Sequence, residues 1–173
     1  MLKIYDDFLD IDSFNLLHSY FIKAPWYYLD SITGSETDLD SFLFVHSFFN
    51  VSNPFDSRPK NPQALKPLLS KLSLQHLLRI KANLQPKSNS ITTCNFHTDF
   101  LLNQLTAILY LNSNDGYTVF KDGSKVDSIK NRLCIFDGHL QHAGTTCTDA
   151  KYRMTLNINY IPVINRGKPQ LPP

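Results

Sequence analysis

His97-Thr98-Asp99 places an imidazole and a carboxylate two residues apart, a spacing at which both leave the same side of an extended strand and can share one cation. Taken alone, such a pair is ordinarily two solvated residues at a strand end. A second cluster changes its meaning. His142 lies 43 positions beyond Asp99 (142 − 99), after the apolar run Arg132–Asp137, and Arg153 follows 11 positions later (153 − 142). Two histidines and one carboxylate form the facial triad that leaves three positions open on Fe(II) for a chelating co-substrate and dioxygen. In the run Tyr152–Ile161, Arg153, Thr155, Asn157 and Asn159 share one face, while Met154, Leu156, Ile158 and Tyr160 share the other. The polar face is either a solvated surface or the lining of a polar pocket. In a pocket, Arg153 and Thr155 offer a fork and a hydroxyl to a distal carboxylate.

His139 rivals His142 as the distal ligand. It follows the Asp137-Gly138 turn directly, which makes it a turn residue near the site mouth and leaves His142 as the preferred ligand. His18, His46 and His76 have no such partners in sequence and are expected to be structural or solvated. Cys94 precedes His97 by three positions, on the opposite strand face, and is expected to be a small buried residue, as is Cys134. Trp26, Tyr27 and Tyr28 are read as aromatics that seal a helical layer onto a sheet, the rival reading being a wall of the substrate entrance.

These side chains must be positioned by short strands. Asp-Gly turn signals stand at 115–116, 122–123 and 137–138. Around them lie the runs Arg79–Gln85, Thr93–His97, Leu105–Asn112, Tyr117–Lys121, Lys125–Ile129, Arg132–Asp137, Gln141–Thr145 and Tyr152–Ile161, enough for two facing four-stranded sheets. The first half reads differently. Lys3–Tyr5 suits an edge strand, and Asp12-Ser13 a helix cap before the periodic segment Phe14–Ile22. Ser41–Phe49 suits a buried strand. Leu65, Leu68, Leu69, Leu72 and Leu77 predict a helix over Ala64–Leu78. The tail Gly167–Pro173 is Pro-rich and expected to be extended. The architecture predicted is therefore α+β and mostly β: a helical support layer over about 1–77, a jelly-roll core over about 78–161 and a tail over 162–173, all in one domain.

The composition bounds the function. The 173 residues carry 17 Lys+Arg against 15 Asp+Glu, and the charged fraction of 18% with 12% aromatics excludes a disordered chain. A net charge of +2 disfavours nucleic acid as a partner. The start MLKIYDDFLD carries acids where a secretory signal needs basic and then apolar residues, and no run of about 18 apolar residues exists. The expectation is a soluble, cytoplasmic protein without membrane partners, its three cysteines unpaired.

The ordered series His97-x-Asp99, His142 and Arg153-x-Thr155 resembles the Fe(II)/2-oxoglutarate-dependent dioxygenases, specifically the prolyl 4-hydroxylase-like branch. Ala107-Ile108-Leu109-Tyr110-Leu111-Asn112, Gly116-Tyr117-Thr118-Val119-Phe120 and Leu133-Cys134-Ile135-Phe136-Asp137-Gly138 are similar to that branch as well, and the resemblance covers roughly residues 78–161. It implies a double-stranded β-helix of the cupin-like jelly-roll type. It implies further that His97, Asp99 and His142 bind Fe(II), and that Arg153 holds the distal carboxylate of 2-oxoglutarate with help from Thr155. Tyr110 occupies the place of a family tyrosine that reaches the same carboxylate. Asn83 and Gln85 share a strand face, and one of them, Asn83 being the assignment taken, stands where other members contact the inner end of the co-substrate. Because halogenating members replace the acid with a small residue, Asp99 implies hydroxylation with O₂, releasing succinate and CO₂. The substrate class implied is a small molecule or a peptide. The alternatives are a non-catalytic cupin-like metal-binding or sensing domain, or a nucleic-acid-directed oxygenase of the same mechanism.

Overall fold

Helical spacing is confined to the first half of the sequence, where it is interleaved with strands, and strand alternation fills the rest. The computed structural model describes residues 1–30, 42–52, 62–99 and 104–163. The elements run β1 (Leu2–Tyr5), α1 (Ile11–Lys23), β2 (Tyr27–Leu29), β3 (Leu43–Asn50), α2 (Pro62–Lys71), β4 (Leu74–Pro86), β5 (Leu105–Tyr110), β6 (Tyr117–Phe120), β7 (Lys125–Asp127), β8 (Leu133–Asp137), β9 (His142–Gly144) and β10 (Tyr152–Pro162). The tail segment from 164 onward, with its predicted extended form, lies outside the described residues.

Helix α1 is capped by Asp10, whose carboxylate accepts from the Ser13 amide at 2.9 Å, so the cap sits two residues earlier than the expected Asp12. Its apolar stripe of Phe14, Leu17 and Phe21 is fully buried, and Pro25 just beyond the helix bars continuation. Helix α2 is shorter than predicted and stops at Lys71. Leu77, read from the sequence as a helical position, belongs instead to β4, which pairs with β10 along its length. The leucine run satisfied both periods, and a long partner strand decided between them.

Seven strands form one antiparallel sheet in the order β1-β8-β5-β10-β4-β3-β2, and three form a second in the order β7-β6-β9. This replaces the expected pair of four-stranded sheets. Two differences account for it. The N-terminal strands add to the edges of the large sheet, β1 on β8 and β3 on β4. The predicted strand Thr93–His97 contributes only isolated bridges, Thr93 to Thr145 and His97 to His142. The result is a double-stranded β-helix of the jelly-roll class with two helices against one face.

Alternation on β10 divides core from site. Met154, Leu156, Ile158 and Tyr160 turn toward the helices and pack with Phe14, Leu17, Phe21, Leu65 and Leu68 in the main core. Arg153, Thr155, Asn157 and Asn159 turn to the other face, toward the small sheet. A second apolar cluster of Ile108, Tyr110, Phe120, Val126, Cys134 and Phe136 holds the two sheets together there. Burying both faces of β10 explains why every residue from Arg153 to Tyr160 is buried.

Candidate active site

The inner face of the large sheet is laid out in rungs by strand register. Asn159 lies between Arg79 on β4 and Thr106 on β5; Asn157 between Lys81 and Ile108; Thr155 between Asn83 and Tyr110; and Arg153 opposite Gln85. Successive rungs are two residues apart, about 7 Å along a strand. A cavity runs over them, lined by Lys81, Asn83, Gln85, Thr155, Asn157 and Arg153 from the sheet and by His97, Asp99 and His142 from the facing segments.

His97, Asp99 and His142 come together at the first rung, with one ligand atom from each lying within 4.8 Å of the others. His97 Nε2 is 3.9 Å from Asp99 Oδ1, and His142 Nε2 is 3.9 Å from Asp99 Oδ2. The other nitrogen of each ring is held by the chain two residues earlier. His97 Nδ1 lies 3.1 Å from the Asn95 carbonyl and His142 Nδ1 lies 3.0 Å from the Leu140 carbonyl. A carbonyl only accepts, so both Nδ1 atoms carry a proton, and in the neutral imidazole each Nε2 then presents a lone pair toward Asp99. The buried His142 Nε2 has no hydrogen-bond partner among the described residues. Burial also holds the His142 imidazole below its ordinary pKa and favours the neutral, ligating form.

Asp99 is fixed from three sides. Arg79 Nη2 donates to Oδ1 at 2.6 Å, Asn159 Nδ2 to Oδ2 at 2.8 Å and Thr106 Oγ1 to Oδ2 at 3.2 Å. Burial pushes this carboxyl up, yet Arg79, the two histidines and the Asn159 amide outweigh it and bring the pKa to about 2. A permanently ionised carboxylate with two inward-facing imidazole lone pairs suits a divalent cation. The orphaned His142 Nε2 is the atom such a cation would satisfy.

Arg153 ends the cavity on the far side. Its guanidinium donates from Nε to Ser128 Oγ at 2.8 Å, from Nη1 to Gln85 Oε1 at 3.2 Å and from Nη2 to Thr118 Oγ1 at 3.1 Å. All three acceptors are neutral. No described carboxylate pairs with this buried cation, and burial draws its pKa below the usual value. A ligand carboxylate would supply the missing charge. Gln85 is fixed through its amide to Cys94 Sγ at 3.2 Å, which keeps its carbonyl on Arg153.

The other predicted site residues fall as follows. Thr155 and Asn83 line the cavity, and Asn83 Oδ1 is buried without a hydrogen-bond partner among the described residues. Gln85 lines it too and is the member of that pair which touches Arg153. Tyr110 is fully buried behind the lining, with its phenol donating to Thr118 Oγ1 at 2.8 Å and its ring 5.6 Å from the Arg153 guanidinium carbon. Burial raises its pKa. His139 is exposed on the turn after β8 and does not join the cluster. His46 is fully buried, with Nε2 3.0 Å from the Tyr20 hydroxyl and Nδ1 2.9 Å from the Pro25 carbonyl. Trp26 packs on Phe21 and His46 in the helical layer, whereas Tyr27 and Tyr28 stay exposed on β2.

Sequence reasoning missed Arg79, Thr106, Thr118, Ser128 and Lys81. The alternation Arg79-Lys81-Asn83-Gln85 carried a signal of the same kind as that on β10, a polar face two residues in period. Nothing local marks Ser128, which reaches Arg153 from a turn 25 residues away.

No protein-family model and no curated protein matches the sequence. Solved structures do match the fold. An oxidoreductase of the 2OG-Fe(II) oxygenase family from Burkholderia pseudomallei has a TM-score of 0.67 at 12% identity, covering 95% of this chain and 88% of that one. A prolyl-4-hydroxylase from Pseudomonas putida has a TM-score of 0.63 at 16% identity, with coverages of 94% and 92%. A prolyl hydroxylase from Trichoplax adhaerens, solved with a hypoxia inducible factor peptide fragment, has a TM-score of 0.63 at 13% identity and coverages of 93% and 83%. The chain has the fold of the 2-oxoglutarate- and Fe(II)-dependent oxygenases, prolyl hydroxylases among them.

Proposed function

We propose that this chain is a non-haem Fe(II)- and 2-oxoglutarate-dependent dioxygenase. It hydroxylates a carbon of a small molecule or of a peptide side chain, prolyl among the candidates. One oxygen atom of O₂ enters the substrate and the other enters succinate, as 2-oxoglutarate loses CO₂. The observation that carries this reading is the pairing of two features in one cavity: three convergent ligand atoms at one end, and at the other a buried guanidinium without a carboxylate partner among the described residues. A site that merely stored a metal has no use for Arg153.

In this reading His97, Asp99 and His142 hold Fe(II), which when bound supplies the dioxygen chemistry. His97 and His142 keep Nε2 free because their Nδ1 protons are committed to backbone carbonyls. Arg79, Thr106 and Asn159 keep Asp99 ionised and aimed. Arg153 takes the distal carboxylate of 2-oxoglutarate, oriented by Ser128, Gln85 and Thr118, with Thr155 and Asn83 along its path. Tyr110 acts on that carboxylate through Thr118 and through the face of Arg153. Leu43 and Ile108 contribute apolar surface to the cavity lining.

Anaerobic addition of Fe(II) and 2-oxoglutarate should produce the weak visible charge-transfer band of the chelate. Arg153→Met should bind the metal as the parent does while weakening 2-oxoglutarate by about 30-fold or more, as for a buried charge stripped of its partner. A folded, metal-loaded parent that gives no band would overturn the assignment.

A further inference from the structure

The cavity holds a second cation that the co-substrate does not need. Lys81 rises from β4 on the rung beside the Asp99 supports, opposite Asn157, and lines the cavity with it. Among the described residues it forms no hydrogen bond or ion pair. The described carboxylate whose charge reaches it, on Asp99, is already taken by Arg79, Asn159 and Thr106. An ammonium placed inside a protein without an acceptor is costly and is kept where an anion comes to meet it.

Position separates this anion from 2-oxoglutarate. Arg153, at 4% exposure, closes the deep end two rungs from Lys81, whereas His97, with 31% of its side chain exposed, marks the open end. Charge leads to the same place. Arg79 offsets Asp99, and a divalent cation offsets a dicarboxylate co-substrate. Arg153 and Lys81 then remain in excess, so the loaded site stays cationic and Lys81 is the charge nearer the opening.

We propose that Lys81 is the anchor for a carboxylate of the primary substrate, with the Asn157 amide beside it, so that the enzyme oxidises an acid rather than a neutral molecule. A single ammonium beside a neutral amide matches a monoanion. This rests on the oxygenase reading above and deepens it by naming the substrate class.

The test uses the full chain loaded with Mn(II) and 2-oxoglutarate under nitrogen. Matched acids and amides serve as probes: propionate against propionamide, N-acetylglycine against N-acetylglycinamide, N-acetylproline against N-acetylprolinamide. Binding is read by the paramagnetic broadening of the probe's proton signals and by calorimetry. The parent should bind at least one acid tenfold or more tighter than its amide, the scale of one charge-assisted contact. Lys81→Met should abolish that preference and Lys81→Arg should restore most of it, while the Kd for 2-oxoglutarate stays within threefold of the parent. Equal binding of acids and amides by the parent, or a preference that survives in Lys81→Met, overturns the proposal. So does a Lys81→Met variant that loses 2-oxoglutarate, because Lys81 would then belong to the co-substrate. A parent that binds Mn(II) without 2-oxoglutarate overturns the oxygenase reading itself, and this separates the two failures.

Discussion

Gly144 and Arg153 lie so close that a methyl group on the first would stand 3.2 Å from Nη1 of the second and 3.7 Å from Gln85 Oε1. The β9 strand therefore presses bare backbone against the guanidinium, and a side chain there would crowd Arg153. Gly144→Ala should displace the Arg153 guanidinium by a few tenths of an ångström, while Gln85 stays at ordinary contact distance. The expected outcome is weaker 2-oxoglutarate binding, by roughly three- to tenfold, at unchanged Mn(II) affinity, since modest steric shifts of this kind cost about 1 kcal/mol. Calorimetry with each ligand in turn checks it.

His142 and His139 are separated by function despite their proximity in sequence. Substituting His142 by Ala removes a lone pair that faces Asp99, while His139→Ala alters an exposed turn residue. Metal titration should show the first variant losing Mn(II) affinity by at least a hundredfold and the second staying near the parent. Loss confined to the His139 variant would mean that the ligand set is wrong.

Lys81 gives the metal-free protein a pH signature. Burial, with Arg79 adding repulsion and Asp99 opposing it, lowers its pKa from 10.5 to about 8. The folded value lies below the unfolded one, so between about pH 8 and 10.5 the unfolded chain holds a proton that the folded chain has released. Stability contributed by this group therefore rises with pH across that window, and below it the charged lysine is a standing cost of about 3 kcal/mol at most. Lys81→Met should be more stable than the parent at pH 7, and the gap should close by pH 10.5. Urea denaturation at a series of pH values measures both; a gap that widens with pH contradicts the assignment.

The helices brace the sheet through a few fully buried leucines and phenylalanines. Leu68 of α2 is completely buried in the main core. Leu68→Ala should destabilise the fold by about 2–5 kcal/mol. Ligand affinities measured well below the melting temperature should change little, because the side chain lies on the far side of the sheet from the cavity.

What the sequence revealed, and what it hid, follows from how far each instruction reaches. The division of β10 into Arg153, Thr155, Asn157 and Asn159 against Met154, Leu156, Ile158 and Tyr160 needs nothing beyond alternation on one strand, so it was legible. The meeting of His97, Asp99 and His142 was legible because two of them are neighbours in sequence and the third follows an apolar run. The three supports of Asp99 were not. Arg79 is 20 residues away and Asn159 is 60, and their meeting depends on β10 pairing with β4 and β5 in one register. The end of α2 failed for a related reason. Leu72 and Leu77 fit a helical stripe, and only the length of β10 shows that the second one lies on a strand.

β10 is the central strand of the large sheet, with the helix-facing core on one side and the cavity on the other. Its two faces share one backbone, so a substitution that repacks Leu156 or Ile158 moves Thr155 and Asn157 with it. The chain has little freedom to alter its chemistry from this strand without endangering its folding. The edge strand β2, with Tyr27, Tyr28 and Leu29 all exposed, is under no such constraint. A lineage acquiring a new substrate would be expected to rewrite that margin first and to leave the middle of the sheet as it found it.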